Sequence, residues 1–254
     1  MILAVDVGNT NIVLGFLDGS KLVNECRLST AVNDSAEEYA IKLNSIFEIC
    51  KICAEDIEGS VLSSVVPPLN RTVSKAIMLI TGKKPIVIGP GVKTGLNIKT
   101  NNPAELGADM VVGAVASIAK YPCPQIIFDL GTATTASVID KNGCFIGCSI
   151  LCGVKTALNA LASGTAQLPQ IEIVAPKSPI GTNTIDCMRS GTVYGTASMI
   201  DGLVKRFEKE LGEKATVIIT GGLGGIIANY CETPVTVDKN LLIDGLRMIY
   251  EKNN

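Results

Sequence analysis

The sequence predicts an α/β protein built by duplication, with two like halves turned toward one cleft. Two observations carry this expectation. Short β-rich runs alternate with helical patterns along the chain, the signature of sheets layered with helices. An apolar strand ending in Asp-apolar-Gly-Asn/Thr occurs at Asp6 and again at Asp129, half the chain later. The 254 residues, 47% hydrophobic and 18% charged, are enough for one large domain or two smaller ones with a well-buried interior.

Taken in order, Ile2-Leu3-Ala4-Val5 is a buried strand that runs into Asp6-Val7-Gly8-Asn9-Thr10-Asn11. Glycine lets the main chain approach an anion without a Cβ in the way, and the short polar side chains add donors beside the backbone N–H groups of the turn. Asp6 would repel a bare phosphate, which suggests a metal ion or hydrated cation between carboxylate and phosphates. The stretch reads as a nucleotide-phosphate site. Taken alone it reads equally well as a hairpin into a second strand over 12–17. A third strand is expected over 21–28. Ser35 with Glu38 makes a capping box, and Leu43, Ile46, Phe47 and Cys50 recur at helical spacing, so 35–50 is an amphipathic helix. A strand over 60–66 stops at Pro67-Pro68, a helix follows from about 70 to 80, and a strand over 85–88 ends at Gly89-Pro90-Gly91. The turn-rich segment 95–106 leads into a helix that includes 110–119. Asp109 lies near its start, where the helix dipole favours a carboxylate whether or not it has a further role. Tyr121-Pro122-Cys123-Pro124 sets the expected boundary between domains 1–120 and 121–254.

The second half repeats the opening. Residues 125–128 form an apolar strand, Asp129-Leu130-Gly131-Thr132-Ala133-Thr134 its turn, and 135–140 the returning strand. A matched pair of carboxylate-glycine-hydroxyl turns favours a duplicated phosphate clamp over two unrelated hairpins. A strand over 144–151, a helix over 155–163 and a strand over 169–174 follow. The stretch 184–212 is helical, interrupted by Gly191, Gly195 and Gly202. The strand 216–220 runs into Gly221-Gly222-Leu223-Gly224-Gly225, a third glycine turn. It admits a flat ligand or a phosphate close to the main chain, or serves only as a tight strand-to-helix connection. Neither GxGxxG nor GxxxxGK[ST] matches, so dinucleotide-fold and P-loop assignments have no support.

Composition narrows the chemistry. The net charge of −2 without a Lys/Arg block gives no nucleic-acid footprint and no basic membrane face. No apolar run approaches membrane-spanning length, and no positively charged leader precedes the first strand, so the expected location is the cytoplasm. Nine scattered cysteines suit reduced thiols. Cys50-Lys51-Ile52-Cys53 lacks the second pair that a four-ligand metal site needs and is expected to pack at a helix end. The chain has no histidine, which removes the commonest general base. Any base is expected to be a carboxylate.

The three turns, in this order, resemble the two phosphate motifs and the adenosine motif of the acetate and sugar kinase, heat-shock chaperone and actin superfamily. The likeness is closest to the type III pantothenate kinases and covers essentially the whole chain. It is carried by 6–15, by Gly89-Pro90-Gly91-Val92-Lys93-Thr94-Gly95-Leu96-Asn97-Ile98, by Leu106-Gly107-Ala108-Asp109, by 129–135, by Ile180-Gly181 with Asn183-Thr184 and Ser190-Gly191, and by Thr220-Gly221-Gly222-Leu223. The resemblance implies two RNase H-like domains, a duplicated actin-like ATPase fold, flanking a nucleotide cleft. It also implies a homodimer with the acceptor site at the subunit interface, and transfer of the γ-phosphoryl group of ATP to pantothenate. By resemblance, Asp6, Val7, Gly8, Asn9, Thr10, Asn11, Ile12 and Val13 cradle the ATP phosphates with Mg²⁺, and Thr132 contacts them from the second domain. Gly221 and Gly222 form the adenosine turn. Asp129 holds a monovalent cation, K⁺ or NH₄⁺. Asp109 is the general base, and Thr100, Gly107, Ala108, Asp109, Met110 and Thr184 meet the acceptor, Thr184 from the partner subunit. Phosphoryl transfer needs positioning and charge neutralisation more than covalent chemistry, which such a constellation supplies.

The chain departs from the family pattern on acceptor-side segments. Met110 stands where the family has arginine, Thr100 where it has tyrosine, and Thr182 where a basic residue is usual. Gly164 stands in place of another arginine, and the usual Gly-Gly-x-Ile-x-Pro-Gly is Gly147-Cys148-Ser149-Ile150-Leu151-Cys152-Gly153. Methionine cannot make the paired hydrogen bonds an arginine offers a carboxylate. The nucleotide turns are intact. Two alternatives therefore stand beside pantothenate phosphorylation: a nucleotide-binding paralogue without pantothenate turnover, and a kinase for another small hydroxylated acceptor.

Overall fold

The computed structural model describes residues 1–254. The chain divides into two compact units, Met1–Leu96 with Asn102–Ala116 and Leu241–Asn254, and Asn97–Asn101 with Ser117–Asn240. A single cut at 120 therefore does not describe the packing, because the C-terminal helix returns to the first unit and a short strand from the linker joins the second.

In the first unit, β1 (Ile2–Val7), β2 (Asn11–Asp18) and β3 (Lys21–Ser29) form an antiparallel meander. Strands β4 (Gly59–Ser64) and β5 (Ile86–Val87) add in parallel, giving the order β3-β2-β1-β4-β5. The period-2 alternation of a strand sends successive side chains to opposite faces. Leu3, Val5 and Val7 enter a core with Tyr39, Leu43 and Phe47 of α1 (Ala36–Cys50) and Leu69, Val73 and Ile77 of α2 (Pro67–Thr81). Ile2 and Ala4 meet Val112 of α3 (Ala108–Lys120) and Ile243, Leu246 and Ile249 of the C-terminal helix, Leu241–Asn253. The predicted capping box is present: Ser35 Oγ accepts the Glu38 N–H and the Glu38 carboxylate accepts the Ser35 N–H at 2.7 Å. The pair Pro67-Pro68, read from sequence as a stop before a later helix, instead opens α2, since proline at the first helical positions lacks only an N–H that would be unpaired there.

The second unit repeats this sheet. Strands β7 (Gln125–Leu130), β8 (Ala133–Ile139) and β9 (Cys144–Cys152) form the meander, β10 (Thr216–Thr220) adds in parallel to β7, and β11 (Thr236–Val237) in parallel to β10. The strand β6 (Asn97–Ile98) extends the far edge, giving β11-β10-β7-β8-β9-β6. Strands β1 and β7 share one burial pattern along their length, with Asp6 and Asp129 as the fifth residue of each. Ile126, Phe128 and Leu130 pack against Val193, Ala197, Ile200 and Val204 of α5 (Thr184–Leu211). Helix α4 (Val154–Ser163) precedes it, and α6 (Gly224–Ile227) follows β10.

Two further expectations need correction. Residues 169–174 are irregular rather than a strand; the prolines at 169, 176 and 179 withhold ladder donors. The glycines at 191, 195 and 202 do not interrupt α5, because its apolar stripe is anchored on the sheet and burial outweighs about 1 kcal/mol of propensity per glycine. The lone CxxC behaves as anticipated at Cys50, which packs on the first core, with its Sγ 3.3 Å from that of Cys26. No helix is long and apolar enough to cross a membrane.

Candidate active site

The first turn is closed by its own backbone. Gly8 N–H donates to Asn11 O at 3.0 Å, and a Cβ on Gly8 would meet that oxygen at 3.0 Å, so the turn admits only glycine comfortably. Asn9, Thr10 and Asn11 are exposed. Val7 and Ile12 are core residues at 0% and 1% exposure, so at those positions only the main chain faces a ligand. Val13 is half-buried and packs on the α3 face of the sheet. Asp6 is half-buried and in register with Ser63 and Val13, so its side chain shares the face of Ala4 that α3 covers.

Helix α3 brings Asp109 to this unit's sheet. Ala108 and Val112 pack against the Ala4 face, which places Asp109, the second residue of the helix, in its first turn. The carboxylate Oδ1 accepts the Met110 N–H at 2.8 Å. A Cβ on Gly107 would come within 2.6 Å of Asp109 Oδ1 and 3.3 Å of Met110 Cε, so it would displace both side chains. Burial pushes the Asp109 carboxyl above the ordinary aspartate range, opposed in part by hydrogen bonds from the Met110 and Asp109 backbone N–H groups. A base must be deprotonated to act. With Asp109 as the general base, the acid limb of the kcat/KM–pH profile would fall at a pH above that of an ordinary aspartate, and would vanish in Asp109→Asn. A profile flat down to the ordinary aspartate range contradicts this.

In the second unit, Asp129 is in register with Thr135 and Thr220. The turn after it is closed by Gly131 N–H donating to Ala133 O at 3.1 Å, and Thr132 is exposed. The turn is held from behind: Thr156 Oγ1 donates to Thr132 O at 2.8 Å, and buried Gly153 leaves no room for a Cβ against the Gly131 and Thr132 carbonyls. Gly221 adopts φ +89°, and a Cβ there would lie 2.7 Å from both Asp129 Oδ1 and Leu130 N. The second and third glycine turns are thus in contact. Gly222 is exposed with open space around it.

Thr184 opens α5 behind Asn183, whose side chain accepts the Asp186 N–H at 3.0 Å. It lines a groove of about 960 Å³ formed by α4, α5 and the loop before α5, together with Cys152, Leu158, Thr182, Gly191 and Gly195. Thr100 is half-buried, and its Oγ1 has no hydrogen-bond partner. No group of three or more His, Cys, Asp or Glu side chains gathers as a metal cage. Any divalent ion here must draw most of its ligands from a substrate's oxygens and water, as Mg²⁺ does with nucleotide phosphates. Sequence reading missed the buttressing residues Thr30 and Thr156, which touch the turns from distant positions and carry no local motif, and it met Gly153 only as the last glycine of a family pattern, without its contact to the second turn.

Repeated sheets of one order, each ending its first strand in a carboxylate turn, define a duplicated RNase H-like architecture of the actin-like ATPase type. Solved structures agree in fold. The activator of the 2-hydroxyisocaproyl-CoA dehydratase from Clostridium difficile, with bound ADPNP, aligns over 98% of this chain and 93% of its own with TM-score 0.59 at 16% identity. Component A of the Acidaminococcus fermentans (R)-2-hydroxyglutaryl-CoA dehydratase aligns over 98% and 96% with TM-score 0.55 at 16% identity. The sequence model of type III pantothenate kinases matches residues 2–206. A type III pantothenate kinase from an Exiguobacterium species is 48% identical over 100% of this chain and 99% of its own; one from Brevibacillus brevis is 42% identical over the same shares. The chain belongs to the type III pantothenate kinase family.

Proposed function

We infer that this protein transfers the γ-phosphoryl group of ATP to the hydroxyl of pantothenate, the first step of coenzyme A biosynthesis. The observation that carries the reading is full-length kinship at 42–48% identity, combined with nucleotide turns in which Gly8 and Gly221 leave no comfortable room for a Cβ. The turn at 6–13 binds ATP phosphates through Asn9, Thr10 and Asn11 and its main chain, with Asp6 facing phosphate-bound Mg²⁺. Thr132 offers a further hydroxyl to the phosphates, and Gly221 and Gly222 leave the main chain open to adenosine. The Asp129 carboxylate, which Gly221 packs against closely, is the group offered to a weakly charged cation such as K⁺ or NH₄⁺, which would supply positive charge beside the phosphates. Asp109 accepts the proton of the attacking hydroxyl, flanked by Gly107, Ala108 and Met110, with Thr100 also assigned to the acceptor. Thr184 reaches the acceptor of the partner subunit in a homodimer, for which the groove beside it is the apolar face. The cytoplasm is the expected location of such an enzyme.

Met110 and Thr182 support a second reading, a kinase for a less anionic acceptor, because both replace a cation usual in the family. The test is ADP release and phosphopantothenate formation with ATP and Mg²⁺, with and without pantothenate, in potassium and in ammonium. The expected result is pantothenate-dependent turnover in at least one cation. ATP binding without turnover on pantothenate overturns the first reading, and a screen of hydroxylated acceptors then separates another kinase from a paralogue that only binds nucleotide.

A further inference from the structure

Thr30 stands just beyond β3, far in sequence from the opening turn, yet it holds that turn at two points. Its Oγ1 donates to Gly8 O at 2.6 Å and its N–H donates to Thr10 O at 3.0 Å. Gly8 uses its own N–H on Asn11 O at 3.0 Å, so both polar groups of its peptide frame are committed inside the protein. The register of β2 on β3, with Asn11 opposite Ser29, brings Thr30 beside the turn. Thr30 itself is half-buried and Asn9, Thr10 and Asn11 are exposed, so Thr30 meets the turn from the protein side.

We propose that Thr30 is a positioning residue for ATP, a latch that draws the Gly8 and Thr10 carbonyls back toward β3. A carbonyl oxygen facing a phosphate is repulsive, whereas an N–H facing it is attractive. Committing both carbonyls to Thr30 keeps their partial negative charge off the phosphate side. The backbone donation holds the Thr10 carbonyl, and the hydroxyl holds the Gly8 carbonyl, in the one residue of the turn without a side chain. Glycine leaves the peptide that follows it a wider range of orientations than any other residue would, which the tie on its oxygen narrows.

This inference rests on the turn's assignment to ATP phosphates, and the experiment separates the two. Thr30→Val keeps the β-branch and the backbone donation and removes the hydroxyl; Thr30→Ala removes it without adding apolar bulk; Thr30→Ser keeps it. Loss of one hydrogen bond that orients charged-ligand donors is expected to raise KM for ATP roughly five- to tenfold in Val and Ala. The KM for the acceptor should stay within about twofold, and Ser should return KM for ATP to near wild type. ATP affinity by calorimetry should move with KM. Val and Ala variants that bind ATP as wild type does, or a Ser variant as impaired as they are, overturn the latch. Equal rises in both KM values with a lowered melting temperature also overturn it, by assigning Thr30 a structural role only. A wild-type protein that binds no ATP, or a Gly8→Ala variant that binds it normally, sinks the phosphate assignment and the latch with it.

Discussion

Asp109→Asn is expected to lower kcat by roughly 10²- to 10⁴-fold, the range associated with losing a positioned general base, while ATP still binds. Asparagine has nearly the same shape, and its amide oxygen can accept the Met110 N–H that Asp109 Oδ1 accepts at 2.8 Å. What disappears is the capacity to take a proton. The stability effect has the opposite sign from an ordinary core mutation. Burial holds the Asp109 carboxyl above its usual range, so the folded state binds more protons than the unfolded chain in the window between the two pKa values. Stability is then lost as pH rises through that window, and at neutral pH the ionised group weighs against folding. A neutral amide removes that cost, so Asp109→Asn should melt at the same temperature or higher. Steady-state kinetics with calorimetric ATP titration and thermal denaturation at pH 7 check all three parts. An active variant dismisses Asp109 as the base; an inactive one with a lowered melting temperature assigns it to the fold instead.

Features set by neighbouring residues were legible in the sequence. The strand-turn-strand at Asp6 and its copy at Asp129, the Ser35–Glu38 capping box and the glycine turn after Thr220 all depend on contacts within a few residues. Features set by tertiary packing were not. The C-terminal helix is unremarkable as a sequence, and its place in the first unit depends on Ile243, Leu246 and Ile249 meeting Ile2, Ala4 and Val61. The glycines of α5 suggest interruption locally, but Val193, Ala197, Ile200 and Val204 hold one continuous helix on the second sheet. The same division runs through the site. Asp6, Gly8 and Asp129 announce themselves by motif, whereas Thr30 behind the first turn and Thr156 behind the second become visible only when the fold brings distant residues together. The sheets also give the duplication a physical meaning that the motif alone lacked. Asp6 lies beside Ser63 and Asp129 beside Thr220 across equivalent parallel pairs, so each half sets its carboxylate at the same place in the same sheet.

Gly221→Ala should be among the single-atom changes in the second unit that cost most stability, and Gly222→Ala next to it should leave stability nearly unchanged. At Gly221 the backbone sits at φ +89°, where any L side chain is strained. The added Cβ would also lie 2.7 Å from Asp129 Oδ1, 2.7 Å from Leu130 N and 2.8 Å from Leu130 C. Of these neighbours only the carboxylate is mobile. Leu130 belongs to β7, is paired to Thr134 of β8, and is 2% exposed, so its backbone cannot retreat without breaking the ladder. Strain and clash together are expected to cost about 2–4 kcal/mol. At Gly222 nothing lies within 4 Å of the corresponding Cβ, and no more than about 0.5 kcal/mol should be lost there. The two variants differ by one position and by the same methyl group, so composition and unfolded-state effects largely cancel between them. If the Asp129 carboxylate yields before the backbone does, the displacement falls on the group assigned to the monovalent cation. The loss in Gly221→Ala should then exceed what instability explains, with activity at saturating ATP requiring a higher potassium or ammonium concentration than wild type. Urea unfolding of both variants, followed by kinetics across a cation titration at a temperature where each is folded, reads the two effects separately. Equal stability of the two variants would show that the third turn yields freely, and an unchanged cation requirement in folded Gly221→Ala would detach Asp129 from the cation.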